Sequence, residues 1–107
     1  MNPHELGKKL ETVGLPVAYN LFKQKQTKDY LIYIYSATIS GSDEGSELIE
    51  YSYTIELYTR NKEVSVENKI LDLLTGVDVE QSETIYIESE KRFMTAFSFS
   101  SLTIKED

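Results

Sequence analysis

The segment from Glu50 to Arg60 alternates between apolar and polar side chains with a period of two, a pattern that few folds can accommodate. Its apolar positions are Tyr51, Tyr53, Ile55 and Leu57. Successive side chains of a β-strand point to opposite faces of a sheet, so the segment predicts a strand with one packed face and one wet face. The same alternation leaves Tyr58 on the wet side.

The segment 29–36 is apolar on both faces. It reads Asp-Tyr-Leu-Ile-Tyr-Ile-Tyr-Ser and is rich in aromatic and β-branched residues, so it predicts a strand that is covered on both sides. The polar, glycine-rich stretch 40–47 comes next. It predicts a flexible loop at the tip of a hairpin that joins the two long strands.

The N-terminal segment carries apolar residues at helical spacing. It predicts a helix over about residues 3–13, with Asn2 as the N-cap and Gly14 at the end. Pro16 disfavours helical backbone at the residue before it. The period-two pattern over residues 17–21 then predicts a short strand.

A second helical pattern predicts a helix over about residues 66–75, with Ser65 as the N-cap and Gly76 after its last turn. The last third predicts two strands around a turn at 88–91, followed by a charged tail at 105–107. The first of these strands contains residues 84–87, and the second carries Phe93, Phe97 and Phe99 on one face.

The predicted order is therefore α-β-β-β-α-β-β. Consecutive strands favour an α+β fold with a mainly antiparallel sheet of four to five strands and both helices packed on one face. The chain has 107 residues and no internal linker, which predicts a single domain over 1–107.

Composition excludes several kinds of site. The chain has no cysteine, which rules out disulfides, a thiolate nucleophile and a zinc site built on sulfur. The net charge of −7 argues against a nucleic-acid-binding surface. Charged residues near the N-terminus replace the apolar run of a secretory signal, and no apolar segment is long enough to cross a bilayer. We therefore expect a protein that is made and kept in the cytoplasm, or in something assembled there.

Few residues are candidates for chemistry. His4 is the sole histidine and stands in the first turn of a terminal helix, so it predicts an exposed side chain without a catalytic partner. Glu88 and Glu90 stand two apart and would share a face of a strand, which makes them the only candidate carboxylate pair. Exposed ion pairs with the neighbouring Lys91 and Arg92 are the plainer interpretation. No catalytic residue, cofactor or metal ligand is predicted.

The loop acids Asp43, Glu44 and Glu47 lack the donor spacing of a calcium loop. They predict an acidic loop tip that is available for contacts with other proteins. The chain also has eight tyrosines, six of them between residues 30 and 58. A tyrosine ring packs while its hydroxyl stays hydrated, which suits a surface that is half core and half contact.

The alternation assigns different roles to these tyrosines. Tyr51 and Tyr53 share the face of the apolar residues and are predicted to belong to the core. Tyr33, Tyr35 and Tyr58 are the interface candidates, because a strand with two apolar faces in a two-layer domain needs a neighbour on its second face.

Four blocks of the sequence resemble the small tail-completion or tail-terminator proteins of long-tailed phages and prophages of Gram-positive bacteria. The blocks are Leu15-Pro16-Val17-Ala18-Tyr19-Asn20-x-Phe22, Tyr33-Ile34-Tyr35-Ser36, Tyr53-x-Ile55-x-Leu57-Tyr58-Thr59 with Lys62, and Glu83-Thr84-x-Tyr86-Ile87-Glu88-Ser89-Glu90. The chain departs from the family where Thr27-Lys28-Asp29 replaces a proline before the second block.

This resemblance implies a structural α+β protein that forms a ring with copies of itself, commonly a hexamer, at the head-proximal end of the tail. Such a ring stops polymerisation of the tail tube protein and offers a surface to the head–tail connector protein. The implied location is the virion tail, after assembly in the host bacterial cytoplasm. Three alternatives stay open. One is a head–tail connector component, and another is a small adaptor or regulatory module that binds a protein partner along its sheet edge. The third is an enzyme with Glu88 and Glu90 as its candidate acids.

Overall fold

The structure, a computed structural model, describes residues 1–41 and 46–106. It is α+β, with two helices and a mainly antiparallel sheet of six strands, which confirms the predicted class. The helices are α1 (Pro3–Glu11) and α2 (Val64–Leu73). The strands are β1 (Val17–Tyr19), β2 (Tyr30–Gly41), β3 (Ser46–Thr59), β4 (Glu80–Gln81), β5 (Ile85–Ile87) and β6 (Arg92–Glu106).

The three longest strands form the middle of the sheet. β3 pairs antiparallel with β2 on one side and with β6 on the other. β1 extends the sheet beyond β2, while β4 and β5 both pair with β6 at the opposite edge. β4 was missed because its two residues, Glu80 and Gln81, are too few to show a period.

The pairing of β1 with β2 is parallel, so this edge is the exception in a sheet whose other described pairs are antiparallel, as the prediction of a mainly antiparallel sheet allows. Parallel neighbours need a connection that carries the chain back to the starting end. Residues 20–29 make that connection, and no strand or helix forms within them.

The start of α1 follows the prediction. The Asn2 side chain accepts a hydrogen bond from the Glu5 backbone N–H at 2.9 Å, and the Glu5 carboxylate accepts in return from the Asn2 N–H. This capping box satisfies two backbone donors that a helix start leaves free. The helix ends at Glu11, with Thr12 as its C-cap, and Gly14 adopts a positive φ of 95° as a residue beyond a helix end often does.

The start of α2 differs from the prediction. Glu63 is the N-cap and makes no side-chain capping bond, and Ser65 lies inside the helix. Glu67, only 5% exposed, turns its carboxylate inward toward Lys62 Nζ, 3.0 Å away, and toward Gln81 Nε2, 2.8 Å away. A buried carboxylate needs such partners, and these bonds tie the first turn of α2 to the sheet edge.

The three long strands extend further than the sequence predicted, at the β2–β3 hairpin and at the end of β6. β2 continues to Gly41 and β3 starts at Ser46, so Glu47 lies in a strand opposite Gly41 and the predicted loop 40–47 is too long. β6 runs to Glu106, so Lys105 and Glu106 belong to a strand and not to a tail. Both segments are polar, and ladder pairing with their neighbours makes them strand where composition predicted loop.

The core lies between the two helices and one face of the sheet, which we call the helix face; the opposite face is the open face. The helices contribute Leu6, Leu10, Ile70 and Leu74, and the sheet contributes Leu31, Tyr53, Ile55, Leu57, Phe97 and Phe99. Both helices join this one cluster, as predicted. The residues of β2, β3 and β6 that face it are the odd-numbered ones, as a period of two requires. Among the described residues, no helix is both long enough and apolar enough to span a membrane.

Candidate functional site

The open face carries a cluster of aromatic and charged side chains built around Tyr30, which we call the Tyr30 cluster. The ring of Tyr30 stacks on that of Tyr58 with centroids 4.7 Å apart, and Phe22 meets it edge-on at 5.3 Å. Tyr30 and Tyr58 are direct cross-strand partners of β2 and β3, the position in which aromatic pairs stabilise a sheet. Phe22 comes from the β1–β2 connection, so the chain itself covers the second apolar face of β2 here.

Arg92 completes the Tyr30 cluster and holds that connection in place. Its guanidinium is 5.7 Å from the centre of the Tyr30 ring and donates to the backbone carbonyls of Gln26 and Lys28 at 3.3 and 3.2 Å. It also donates to the carbonyl of Glu90 at 2.9 Å. The sequence predicted Arg92 as a surface residue, whereas it is 6% exposed. Its donors satisfy carbonyls of an irregular segment that packs on the sheet.

The two hydroxyls of the stacked tyrosines are fixed by carboxylates. Tyr30 donates to Glu90 Oε1 at 2.5 Å, and Tyr58 donates to Glu56 Oε1 at 2.9 Å. Burial, and then the hydrogen bond to each carboxylate, raises the pKa of Tyr30 and of Tyr58 above the ordinary value of a tyrosine. Both phenols therefore stay protonated near neutral pH and act as hydrogen-bond donors.

A groove of about 590 Å³ runs beside the Tyr30 cluster. One wall is the β1–β2 connection with the exposed Lys23 and Lys25, and the other includes Ile87 and Glu90. Its floor is formed by Ile32 and the two stacked tyrosines. The groove combines an apolar floor with charges of both signs at its rim, which suits contact with a polypeptide.

A second aromatic group lies on the helix face. Tyr19, Tyr33, Tyr35, Tyr51, Tyr53 and Phe99 form a continuous row with neighbouring ring centres 5.1 to 6.1 Å apart. The row runs from the fully packed Tyr53, 1% exposed, to Tyr19 and Tyr35, which are 51% and 38% exposed. It therefore extends the core to the edge of the sheet.

The predicted core tyrosines behave as expected. Tyr53 lies in the core, and its hydroxyl donates to the backbone carbonyl of Met1 at 2.8 Å. Tyr51 is partly buried and packs against the same cluster. Burial raises the pKa of Tyr53, with Tyr51 adding to the effect.

The structure does not bring the predicted interface residues together into one patch. Tyr33 lies on the helix face, where its ring packs close against Gly7 of α1, and Tyr35 lies nearer solvent on the same face. Tyr58 lies on the open face within the Tyr30 cluster. Glu47 is in β3, and Asp43 and Glu44 fall outside the described residues.

The candidate carboxylate pair is not a pair. β5 ends at Ile87, so Glu88 and Glu90 stand in the turn before β6 and not on a strand. Both side chains are exposed, and the Glu90 carboxylate accepts a hydrogen bond from the Tyr30 hydroxyl. His4 is exposed on α1, as predicted. Within residues 1–41 and 46–106, no three His, Asp or Glu side chains are grouped as metal ligands would be.

The sheet extends beyond the helices as a three-stranded arm, made of residues 36–41 of β2, 46–52 of β3 and 100–106 of β6. The molecule is 50 Å long and only 29 by 22 Å across, because strands of this length rise about 3.3 Å per residue. Large apolar side chains of the arm are exposed on both faces, at 63% for Ile39, 40% for Leu48, 62% for Leu102 and 63% for Ile104. Ile49, 9% exposed, is the buried apolar residue of the arm.

Sequence reasoning missed Arg92 and Phe22 as members of the Tyr30 cluster. The one available signal was the position of Phe22 at the end of the first resemblance block, just before a lysine-rich segment. No protein-family model matches the chain, and a search of curated proteins found no match.

Proposed function

We propose that this chain is a non-enzymatic structural protein of a phage or prophage virion, which forms a ring at the head-proximal end of the tail. The ring ends polymerisation of the tail tube and joins the tail to the head. The proposal starts from the four sequence blocks that resemble tail-terminator proteins, and the observation that carries it is the three-stranded arm.

The arm supports assembly because it exposes apolar side chains that the domain does not use in its own core. Ile39 lies on the helix face, whereas Leu48, Leu102 and Ile104 lie on the open face. Contiguous exposed apolar surface marks contact sites between proteins. An arm that carries exposed apolar side chains on both faces and is joined to a compact base can contact one neighbour without disturbing the core.

The experiment is deletion of the gene in a phage that carries it, followed by electron microscopy of the particles. Loss of a terminator gives overlong tails, because further copies of the tube protein continue to add to the end of the tail tube. Restoration of normal length by the unsubstituted gene is the control. Tails of normal length in the deletion would contradict the proposal, and stable heads that cannot retain DNA would point to a connector component instead.

The enzyme alternative can be tested in the same complementation. The double substitution Glu88→Gln/Glu90→Gln removes both candidate acids, while the new amide oxygen at position 90 can still accept the hydroxyl of Tyr30. We expect the double variant to restore normal tail length. Failure to do so, with an unchanged unfolding transition, would reopen a catalytic role.

A protein-binding adaptor is the second candidate, and the free outer edge of β2 favours it. Beyond Tyr33 no described strand pairs with that edge, so an extended peptide could add there as a further strand. Gene neighbours separate the two functions, because a tail tube gene next to this one supports assembly and a metabolic operon supports the adaptor.

A further inference from the structure

The three-stranded arm has two unpaired edges, one on each side. On β2, pairing with β1 ends at Tyr33, and the strand continues to Gly41. On β6, pairing with β4 ends at Ser98, and the strand continues to Glu106. Among the described residues no strand covers either edge.

Hydrogen bonds at the covered end identify which backbone groups point outward from β2. The Leu31 N–H donates to the Pro16 carbonyl, and the Tyr33 carbonyl accepts from the Asn20 N–H, both at 2.9 Å. The outward groups of β2 therefore belong to odd-numbered residues. Because the pairing with β3 runs without a bulge from Tyr30 to Gly41, the alternation continues along the strand. Tyr35, Ala37 and Ile39 hence present their N–H and C=O groups at the free edge.

The same reasoning applies to β6. The Ala96 carbonyl accepts from the Ser82 N–H at 2.8 Å on the outer side, so the outward groups belong to even-numbered residues. Ser100, Leu102 and Ile104 therefore present their N–H and C=O groups at the second free edge. The register with β3 is continuous through this region.

The two edges lie at the same height on the arm. Through β3, Ala37 is level with Tyr51 and then with Ser101. The backbone N–H and C=O groups of Ser101 point toward β3, whereas those of Ser100 and Leu102 point outward. In a parallel pair, a residue bonds to the two neighbours of the residue opposite it. Ala37 of one copy, placed opposite Ser101 of the next, would therefore bond to Ser100 and Leu102. β2 and β6 also run in the same direction, because both are antiparallel to β3.

Neither edge carries the usual protection against pairing. Residues 34–41 and 99–104 contain no charged residue and no proline. Natural sheets guard exposed edges with lysine, proline, bulges or covering elements, and long unguarded edges pair with other strands. Beside each edge stand exposed apolar side chains of the arm, namely Ile39 next to the first and Leu102 and Ile104 next to the second.

We propose that the β2 edge of one copy pairs in parallel with the β6 edge of the next copy, over residues 35–40 and 99–104. The occupant is a second copy because one chain supplies both edges, matched in length, height, direction and bonding groups. Contact between two different surfaces repeats from copy to copy and closes into a ring when the rotation allows it. This pairing rests on the proposed ring assembly and names the contact that builds it.

Introduced cysteines test the pairing on a clean background, because the chain has none of its own. Ser36 and Ser100 are level with each other through Ser52, and both are exposed on the open face. Within one chain β3 separates them by about 9.5 Å, which is too far for a disulfide. Across the proposed contact they stand on neighbouring strands about 4.8 Å apart.

The test is mild oxidation of the double variant Ser36→Cys/Ser100→Cys at a concentration where native mass spectrometry finds oligomers of the unsubstituted protein. We expect a ladder of covalent oligomers on a non-reducing gel, ending at the ring size. The two single variants are the matched controls and should stay monomeric on that gel. An equimolar mixture of the single variants should stop at a covalent dimer, since each bond uses one cysteine of each kind.

Three results would overturn the pairing. Covalent dimers of either single variant would mean that like edges meet. A double variant that does not cross-link, while the unsubstituted protein is oligomeric, would mean that another surface joins the subunits; this leaves the proposed function standing. A protein that is monomeric at every concentration would also overturn the pairing, and tail length in the gene deletion would then decide the proposed function separately.

Discussion

The hydroxyl of Tyr30 donates a 2.5 Å hydrogen bond to the carboxylate of Glu90, 60 residues further along the chain. This bond joins the first residue of β2 to the turn that precedes β6, across the width of the central sheet. Both residues also touch Arg92, through its guanidinium over the Tyr30 ring and its bond to the Glu90 carbonyl. The second half of the β1–β2 connection is thereby fastened to the open face, because Arg92 also binds the carbonyls of Gln26 and Lys28.

Replacing Arg92 by Ala should strongly destabilise the fold. The change removes the donor to the carbonyls of Gln26, Lys28 and Glu90, and we expect the free energy of unfolding to fall by about 3 kcal/mol. Urea unfolding measures it. The control is Lys69→Ala, an exposed position on α2, which should change stability by less than about 0.5 kcal/mol. Equal effects of the two variants would contradict the assigned role of Arg92.

Stability should decrease in alkaline solution. Burial raises the pKa of Tyr30, Tyr33, Tyr53 and Tyr58 in the folded protein above the value of 10.0 that an exposed tyrosine has. Above about pH 10 the unfolded chain loses these protons while the folded chain keeps them. The stabilisation is therefore complete below pH 10 and is lost as the pH rises from there toward the folded-state pKa values.

The measurement is the urea unfolding free energy as a function of pH from neutral to strongly alkaline. The slope of the unfolding free energy against pH reports the difference in bound protons between the unfolded and folded chains. Tyr30→Phe removes one of the titrating groups, so it should reduce this slope in alkaline solution by the contribution of about one proton. Ser65→Ala, at an exposed position of α2, is the control, because it removes no titrating group and should leave the slope nearly unchanged. A slope that is the same in Tyr30→Phe and in the unsubstituted protein would contradict the prediction.

Alanine at Gly7 should not stabilise the fold, although alanine is the better helix former. A Cβ atom at Gly7 would lie 2.7 Å from the Tyr33 hydroxyl oxygen and 3.3 Å from the ring carbon that bears it. Helix propensity alone predicts a gain of about 1 kcal/mol for Gly7→Ala, so we expect the contact with Tyr33 to cancel or reverse that gain. A double-mutant cycle with Tyr33→Phe tests this by urea unfolding. Without the hydroxyl, Gly7→Ala should become stabilising; additive effects would show that the contact is unimportant.

Proline at neighbouring positions of β2 should have opposite effects. The N–H of Ala37 points to the free edge, so Ala37→Pro removes no bond within the subunit, whereas the N–H of Thr38 points toward β3. We expect Ala37→Pro to keep the unfolding transition and to abolish oligomers in native mass spectrometry. Thr38→Pro should lower the free energy of unfolding by about 3 kcal/mol. If Ala37→Pro still forms oligomers to the full extent, the β2 edge is not part of the subunit contact.

The local pattern of the sequence determined most of the elements. The N-cap Asn2, the period-two segment from Glu50 to Arg60 and the second helical pattern all correspond to elements of the structure, because each can be recognised from residues close in the chain. The alternation also placed Tyr53 in the core correctly. Short-range periodicity was sufficient for these features.

The tertiary structure alone decided which side chains meet. The sequence predicted that the segment 29–36 is covered on both sides, which holds at its start but not at Tyr35 and Ser36, which are exposed. It did not indicate that Phe22 and the β1–β2 connection cover the open face of β2 near Tyr30, nor that Arg92 is buried there. The parallel pairing of β1 and the addition of β4 likewise depend on distant parts of the chain. Period-two alternation defines the face of a side chain, whereas the neighbour of each strand edge is set by the path of the whole chain. For that reason, Tyr35 alone among the tyrosines predicted to lie at a subunit contact belongs to the edges now proposed to form it, and Tyr33 and Tyr58 do not.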